Sequence, residues 1–155
     1  VFMLIGRYKV PSVSQGQSPA FIPNKAMRII DGSDITIVAT GTLVSRAVAA
    51  AAQLKAEGIS ARVINLSTVS PLDTAEILAA AKETKAIITA EESVTRGGVG
   101  GAIAEFVVQN HPVPMKLIGI DSFAPTGSAT FLLEHFGLTA DSIVASAREL
   151  LKHGK

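Results

Sequence analysis

The chain has 155 residues, 48% of them apolar, with 14 Lys and Arg against 13 Asp and Glu for a formal net charge of +1. That is the size of one domain, long enough to bury roughly two-thirds of its unfolded surface without disulfides or metal. The absence of cysteine excludes a disulfide scaffold, a thiolate nucleophile and every Cys-containing zinc site, and the balanced charge leaves no footprint for nucleic acid or an anionic membrane.

The longest apolar stretch, near Ala47–Ala52, is closed by Arg46 and Gln53, far short of a membrane span. Val1–Ile5 reads as the tail of a buried strand, with no basic leader and no cleavage site. No signal peptide is therefore read, and the expected setting is cytoplasmic. An opening in mid-strand is expected of a fragment or a processed chain. Val10 to Asn24 carries Pro11, Pro19 and Pro23 among Ser, Gln and Gly, which is linker chemistry. The expected division is 1–20 as the end of a preceding domain plus linker, and 21–155 as one unit.

Ile35–Ala39 is a continuous β-branched run, the mark of a strand covered on both faces. Gly41 or Thr42 caps a predicted helix over Val44–Glu57, with Val44, Ala47, Val48, Ala51 and Leu54 at helical spacing and Gly58 as an αL stop. Ala61–Leu66 predicts a second strand. Pro71-Leu72-Asp73 opens a helix through Lys85 with Ile77, Leu78 and Ala81 inward, and Ala86–Ala90 predicts a third strand. The turn Gly97–Gly101 leads into a helix to Asn110 that faces inward through Ile103, Phe106 and Val107. Met115–Ile120 is a fourth strand after Pro112 and Pro114. A short helix at Ala129–Phe136 ends at Gly137, and Thr139 caps a last helix to about Leu151. Strand and helix alternate, which argues a three-layer, Rossmann-like α/β domain with helices on both faces of a parallel-type sheet.

The Gly-rich turn is the most informative local feature. Glycines before a helix let backbone N–H groups approach an anion, so Gly97, Gly98, Val99, Gly100 and Gly101 form a candidate anion-binding site. The dinucleotide fingerprint is not met, since Ile103 stands where the third glycine belongs, and the Lys-Ser/Thr of a P-loop is missing. The preferred reading is structural: glycines for a tight turn and close helix packing. Glu91 and Glu92 end the third strand, where ligand groups gather, but adjacent strand residues point to opposite faces and would not converge on one bond. One of them is expected to cap or to pair with Arg96. His111, His135 and His153 are isolated and lack metal-ligand spacing, and no G-x-S-x-G elbow exists. Arg7, after Gly6 and a strand end, either forks onto a phosphate or carboxylate or is a surface cation. The residues supply no complete catalytic set.

Asp34–Gly41, Gly58–Asn65 with Pro71-Leu72-Asp73, Thr89-Ala90-Glu91-Glu92 with Gly97-Gly98-Val99-Gly100, Asp121–Gly127 and Phe136-Gly137-Leu138-Thr139 together resemble the C-terminal portion of transketolase, from Leu4 to Leu151. The wider thiamine-diphosphate superfamily, including deoxyxylulose-phosphate synthase and the β chain of 2-oxoacid dehydrogenases, shares this domain. The Phe-Gly-Leu-Thr ending and the Asp-x-Phe-x-x-x-Gly segment favour transketolase, particularly the split, two-chain kind. The resemblance implies a five-stranded, mostly parallel sheet with one antiparallel strand, drawn from before Asp34 or from the tail. It implies that residues 1–20 close a pyrimidine-binding domain, and that Gly6-Arg7 matches an arginine that contacts the sugar phosphate, although Tyr8 stands where glutamine is usual. It implies a parent enzyme of the pentose phosphate type that moves a two-carbon ketol unit between sugar phosphates with thiamine diphosphate and Mg. The G-D-G and asparagine that hold that cofactor are absent here, so this chain alone is expected to bind none and to be inactive. Its implied partners are the upstream domains or a companion subunit and a second protomer, in a homodimer or heterotetramer. Two competing expectations are the matching domain of another thiamine enzyme and a stand-alone phosphometabolite-binding module.

Overall fold

In a computed structural model of the chain, residues 9–13 and 21–153 are described. Arg7 and the expected strand tail Val1–Ile5 lie outside them. The elements run β1 (Met27–Ile30), β2 (Ile35–Ala39), α1 (Leu43–Ala56), β3 (Ala61–Asn65), α2 (Thr74–Glu83), β4 (Ile87–Val94), α3 (Val99–Asn110), β5 (Met115–Ile120), α4 (Ala129–His135) and α5 (Ala140–His153).

The sheet is 5-stranded in the order β1-β3-β2-β4-β5. All neighbours are parallel except β1, which runs antiparallel to β3 with Met27 opposite Asn65. The antiparallel strand thus comes from before Asp34. Periodicity missed it because it is a short edge strand, half-buried throughout and broken in register between Arg28 and Ile30.

The central strands carry apolar side chains on both faces. Ile35, Ile37, Ala39, Val63, Ile88 and Ala90 pack under α1 and α5, and Val38, Ile64 and Ile87 under α2 and α3. Removing each such Ile from water stabilises the fold by about 1.5–3 kcal/mol. Short side chains at Ala47, Ala50 and Ala51 let α1 lie close to the sheet. At its far end Arg148 of α5 donates two bonds to the Glu57 carboxylate, at 2.9 and 2.6 Å.

Two boundaries depart from the sequence pattern. Helix α2 stops at Glu83, because the Thr84 hydroxyl bonds the Ala80 carbonyl at 2.8 Å and meets the Thr36 hydroxyl at 2.9 Å inside the core. Its inward face is Ile77, Ala80 and Ala81, while Leu78 is half-buried. Strand β4 continues past Ala90 to Val94. One charge lies inside: Arg62 on β3 is 5% exposed. Its Nη2 donates to Glu83 at 2.6 Å, and its Nε and Nη1 have no partner among the described residues.

Candidate functional site

From β2 the chain passes through α1 to β3 on one side, and from β3 through α2 to β4 on the other, so the strand order reverses between β2 and β4. In open α/β sheets the crevice outside the carboxyl ends at that reversal is where ligands bind. Here it is a cleft of about 440 Å³ lined by Thr40, Gly41, Thr42, Val69, Glu91, Glu92, Ser93 and Gly97–Val99. Two helix N-termini, those of α1 and α3, open into it.

The extension of β4 builds the site. Ala90 lies opposite Ile118 but Val94 opposite Ile120, so β4 holds two residues more than β5 over this interval. An irregularity of this kind re-aims side chains near a strand end. Glu91 turns under α3 and is 2% exposed, accepting from the Val99 N–H at 2.9 Å and the Gly100 N–H at 2.8 Å. These are two of the donors that a helix start leaves without an intrahelical partner. Gly98 has no room for a Cβ, which would fall on the Val94 carbonyl and 2.5 Å from Glu91 Oε2. A Cβ on Gly100 would meet Thr89 Oγ1 at 2.5 Å and Leu117 Cγ at 2.8 Å. Gly97 holds φ +74°, in the left-handed region, whereas Gly101 is spacious, with nothing nearer than 3.7 Å.

Glu92 points the other way. Its carboxylate accepts from the hydroxyl of Thr42, the residue just before α1. That helix has no side-chain cap and no acidic residue in its first turn, so Glu92 supplies the negative charge that its dipole favours. The two adjacent carboxylates do not converge on one bond. Each serves the helix on its own side of the sheet, and among the described residues neither pairs with Arg96.

The Gly97–Gly101 turn therefore has an anion against it already, the chain's own Glu91. An external phosphate would have to displace a buried carboxylate from the N–H groups of Val99 and Gly100. Other candidate residues are scattered. His111 closes α3, its N–H reaching the Val107 carbonyl. His135 stacks on Phe131 at 5.6 Å between ring centroids and meets the edge of Phe136 at 4.9 Å. Among the described residues no three acidic or histidine side chains gather to hold a metal, and no helix is long and apolar enough to cross a membrane. Asp73, placed by the sequence at the opening of α2, also ties that helix to the segment before β1. It caps α2 through the Glu76 N–H and also accepts from the Ala26 N–H at 3.0 Å and from Lys25. Burial pushes its carboxyl up, but those two N–H groups and the Lys25 ammonium outweigh it and hold it below the usual range.

A doubly wound sheet with one switch-point helix start filled by its own buried carboxylate and a second carboxylate beside the other is an α/β domain of the Rossmann-like class without, among the described residues, the phosphate cradle of the nucleotide binders. The chain belongs to the family described as "Transketolase, C-terminal domain", which it matches over residues 24–143. It is 42% identical over 135 residues to a 6-deoxy-6-sulfo-D-fructose transketolase subunit of Clostridium sp. (strain MSTE9), covering 86% of this chain and 42% of that one. It is 38% identical over 153 residues to an apulose-4-phosphate transketolase subunit of Phocaeicola vulgatus, covering 98% and 49%. A 1-deoxy-D-xylulose-5-phosphate synthase of Heliobacterium modesticaldum is 46% identical over 121 residues, 77% of this chain and 19% of that one. Among solved structures, a split-gene transketolase described as an inactive β4 tetramer superposes with a TM-score of 0.91 at 35% identity, over 97% of this chain and 49% of that one. The chain spans about half the length of the transketolase subunits it matches.

Proposed function

We propose that this segment works as the C-terminal domain of a split transketolase, an enzyme that moves a two-carbon ketol unit between sugar phosphates in the cytoplasm. The observation that carries this reading is the superposition on a split-gene transketolase over 97% of the chain, joined by transketolase subunits among its relatives. In this reading residues 1–20 close a pyrimidine-binding domain and 21–155 form the C-terminal domain. The domain stabilises an assembly with upstream domains, a companion subunit and a second protomer, as a dimer or heterotetramer.

Thiamine diphosphate with a divalent metal supplies the carbanion chemistry of such enzymes. The described residues do not fit that group. Glu91 occupies the start of α3, Glu92 stands beside that of α1 on the Thr42 hydroxyl, and their charge opposes a diphosphate at either place. The cofactor is assigned to the rest of the assembly. The Gly97–Gly101 turn is assigned a structural role, with Glu91 as its anion. Arg7 is assigned the sugar phosphate, through a charged fork onto its oxygens.

A ketol-transfer assay with a ketose phosphate donor and an aldose phosphate acceptor tests the reading. The 155-residue chain alone should be inactive, and the whole gene product with its companion subunit should be active. In that assembly Arg7→Ala should raise KM for phosphorylated sugars and leave unphosphorylated ones unchanged. Equal kinetics for both kinds of substrate would remove Arg7 from the site. The 46% identity to a deoxyxylulose-phosphate synthase supports a second reading, which pyruvate-dependent release of carbon dioxide by the assembly would favour. Saturable binding of sugar phosphates or nucleotides by the isolated chain would favour a stand-alone metabolite-binding module.

A further inference from the structure

Large apolar side chains left in water are ordinary when single and informative when gathered. Here they gather at the carboxyl edge of the sheet. Val69 follows β3, Val94 ends β4, and Phe123 lies in the loop after β5, with exposures of 47%, 56% and 99%. Phe21 and Ile22, 63% and 53% exposed, precede β1, whose first residue pairs with the last of β3. Phe131 is on α4, the helix next to that loop. Among the described residues from β1 onward only Val108, near the end of α3, is a comparably exposed large apolar side chain elsewhere.

The loop that carries Phe123 is anchored at its far end. Gly127 lies flat against the Phe131 ring, and the Ser128 hydroxyl caps α4 by accepting from the Phe131 N–H at 3.2 Å. The loop is tied down at this end, and Phe123 is still 99% exposed.

The chain arrives at the same edge. Val10, Pro11, Ser12 and Val13 lie beside Thr40, Thr42, Ser45, Asn65 and Ser67, and Val13 packs against the core under α1. Whatever precedes Lys9 is tethered within a few residues of this apolar edge. A short tether raises the effective concentration of one protein surface at another to about the millimolar range.

We infer that the carboxyl edge, centred on Phe123 and Val94, is the face covered by the upstream half that the transketolase subunits carry. The inference rests on the proposed transketolase reading and names the partner of its scaffold. The larger groove at the opposite end of the sheet, between Ile30 and Ser60 and under Lys55, is left free.

Hydrogen–deuterium exchange tests this on the 155-residue chain alone and on the assembly of the whole gene product with its companion subunit. Amides of 93–97 and 121–127 should slow tenfold or more in the assembly. Phe123→Ser should leave the Tm of the isolated chain unchanged, since that side chain is 99% exposed there, and should speed exchange at the edge amides of the assembly at least tenfold. Edge amides that exchange equally fast in an assembly that transfers ketol units overturn the inference and leave the functional reading standing. Protection that grows with concentration in the isolated chain gives the edge to a second copy and overturns it too. Slowed edge amides in an assembly without ketol transfer support the covered edge and sink the functional reading instead.

Discussion

Replacing Glu91 by glutamine should unfasten α3 from β4 without changing the shape of the side chain. The carboxylate accepts two N–H bonds of 2.9 and 2.8 Å at a site that is 2% exposed. Hydrogen bonds to a charged acceptor contribute about 1.5–3 kcal/mol each. Glutamine keeps one acceptor and turns its NH₂ group against the second N–H, so one bond is lost and two donors face each other away from water. Relief of the buried charge offsets part of that loss, which places the net destabilisation of Glu91→Gln at about 2 kcal/mol. For a chain of this size that lowers Tm by about 4–8 °C. Glu91→Ala strands both N–H groups and should cost about 3–4 kcal/mol. Urea unfolding followed by circular dichroism measures both, the comparison resting on a constant m value. The alanine variant adds a second readout. Formate or acetate small enough to enter the vacated place should restore stability as its concentration rises, by about 2.7 kcal/mol at one hundred times its Kd. A Glu91→Gln variant within about 0.5 kcal/mol of the parent would show that these bonds do not hold the helix, and the internal-anion reading would fall.

The remaining predictions use the same denaturation assay. Gly100→Ala should destabilise by about 1–3 kcal/mol, because its Cβ meets Thr89 Oγ1 and Leu117. Gly101→Ala, one residue on and in open space, should stabilise by about 0.5–1 kcal/mol; equal effects at the two positions would contradict the packing described for α3. Arg62→Met should be neutral or stabilising by about 1–2 kcal/mol, since two of its buried nitrogens lack partners and Glu83, half-exposed, can return to water; a loss above about 1 kcal/mol would refute this. Asp73 and Asp34 are both held below the ordinary aspartate range, Asp34 chiefly by its bond from Lys85 and then by the Ser60 N–H. Each contributes stability that is complete above the unfolded value and lost as pH falls through the folded one. Asp73→Asn, which preserves a cap, should flatten the decline below about pH 4; parent and variant curves with the same slope there would remove Asp73 as a cause.

The layers of the domain were legible because their signals were strong. Ile35–Ala39 is apolar at every position but Thr36, and Gly58 and Gly137 stop helices with φ of +79° and +64°. The Thr139 cap was legible too, its hydroxyl accepting from the Ser142 N–H at 3.2 Å. Met27–Ile30 was not legible as a strand, since four half-buried residues after a proline-rich stretch show no periodicity. It was the family resemblance that required an antiparallel strand. At the site, the alternation of Glu91 and Glu92 across the strand was readable, but their employers were not. Whether a carboxylate meets Arg96 or a helix start depends on the two extra residues of β4 against β5, and that is a property of pairing between strands. The glycines were equally ambiguous in sequence. Gly98 and Gly100 are crowded while Gly101 is free, and only the placement of Glu91 and Thr89 separates them.

The Glu91-Glu92 pair also bears on how β4 finds its place. A slip of one residue would exchange the faces of every side chain on the strand. Glu91 would be swung out beneath α1, and Glu92 or Ala90 would be offered to the amides of α3. In the native alignment each carboxylate meets a donor on its own side, the Val99 and Gly100 amides on one and the Thr42 hydroxyl on the other. Two neighbouring acids thus act as a key cut on both edges, which turns only when both layers of helices are in position. Strand β4 is paired on both sides, with β2 and the edge strand β5, and its alignment sets where β5 and the Phe123 loop come to rest. A locally polar dipeptide therefore keeps the apolar edge of the domain in a single geometry.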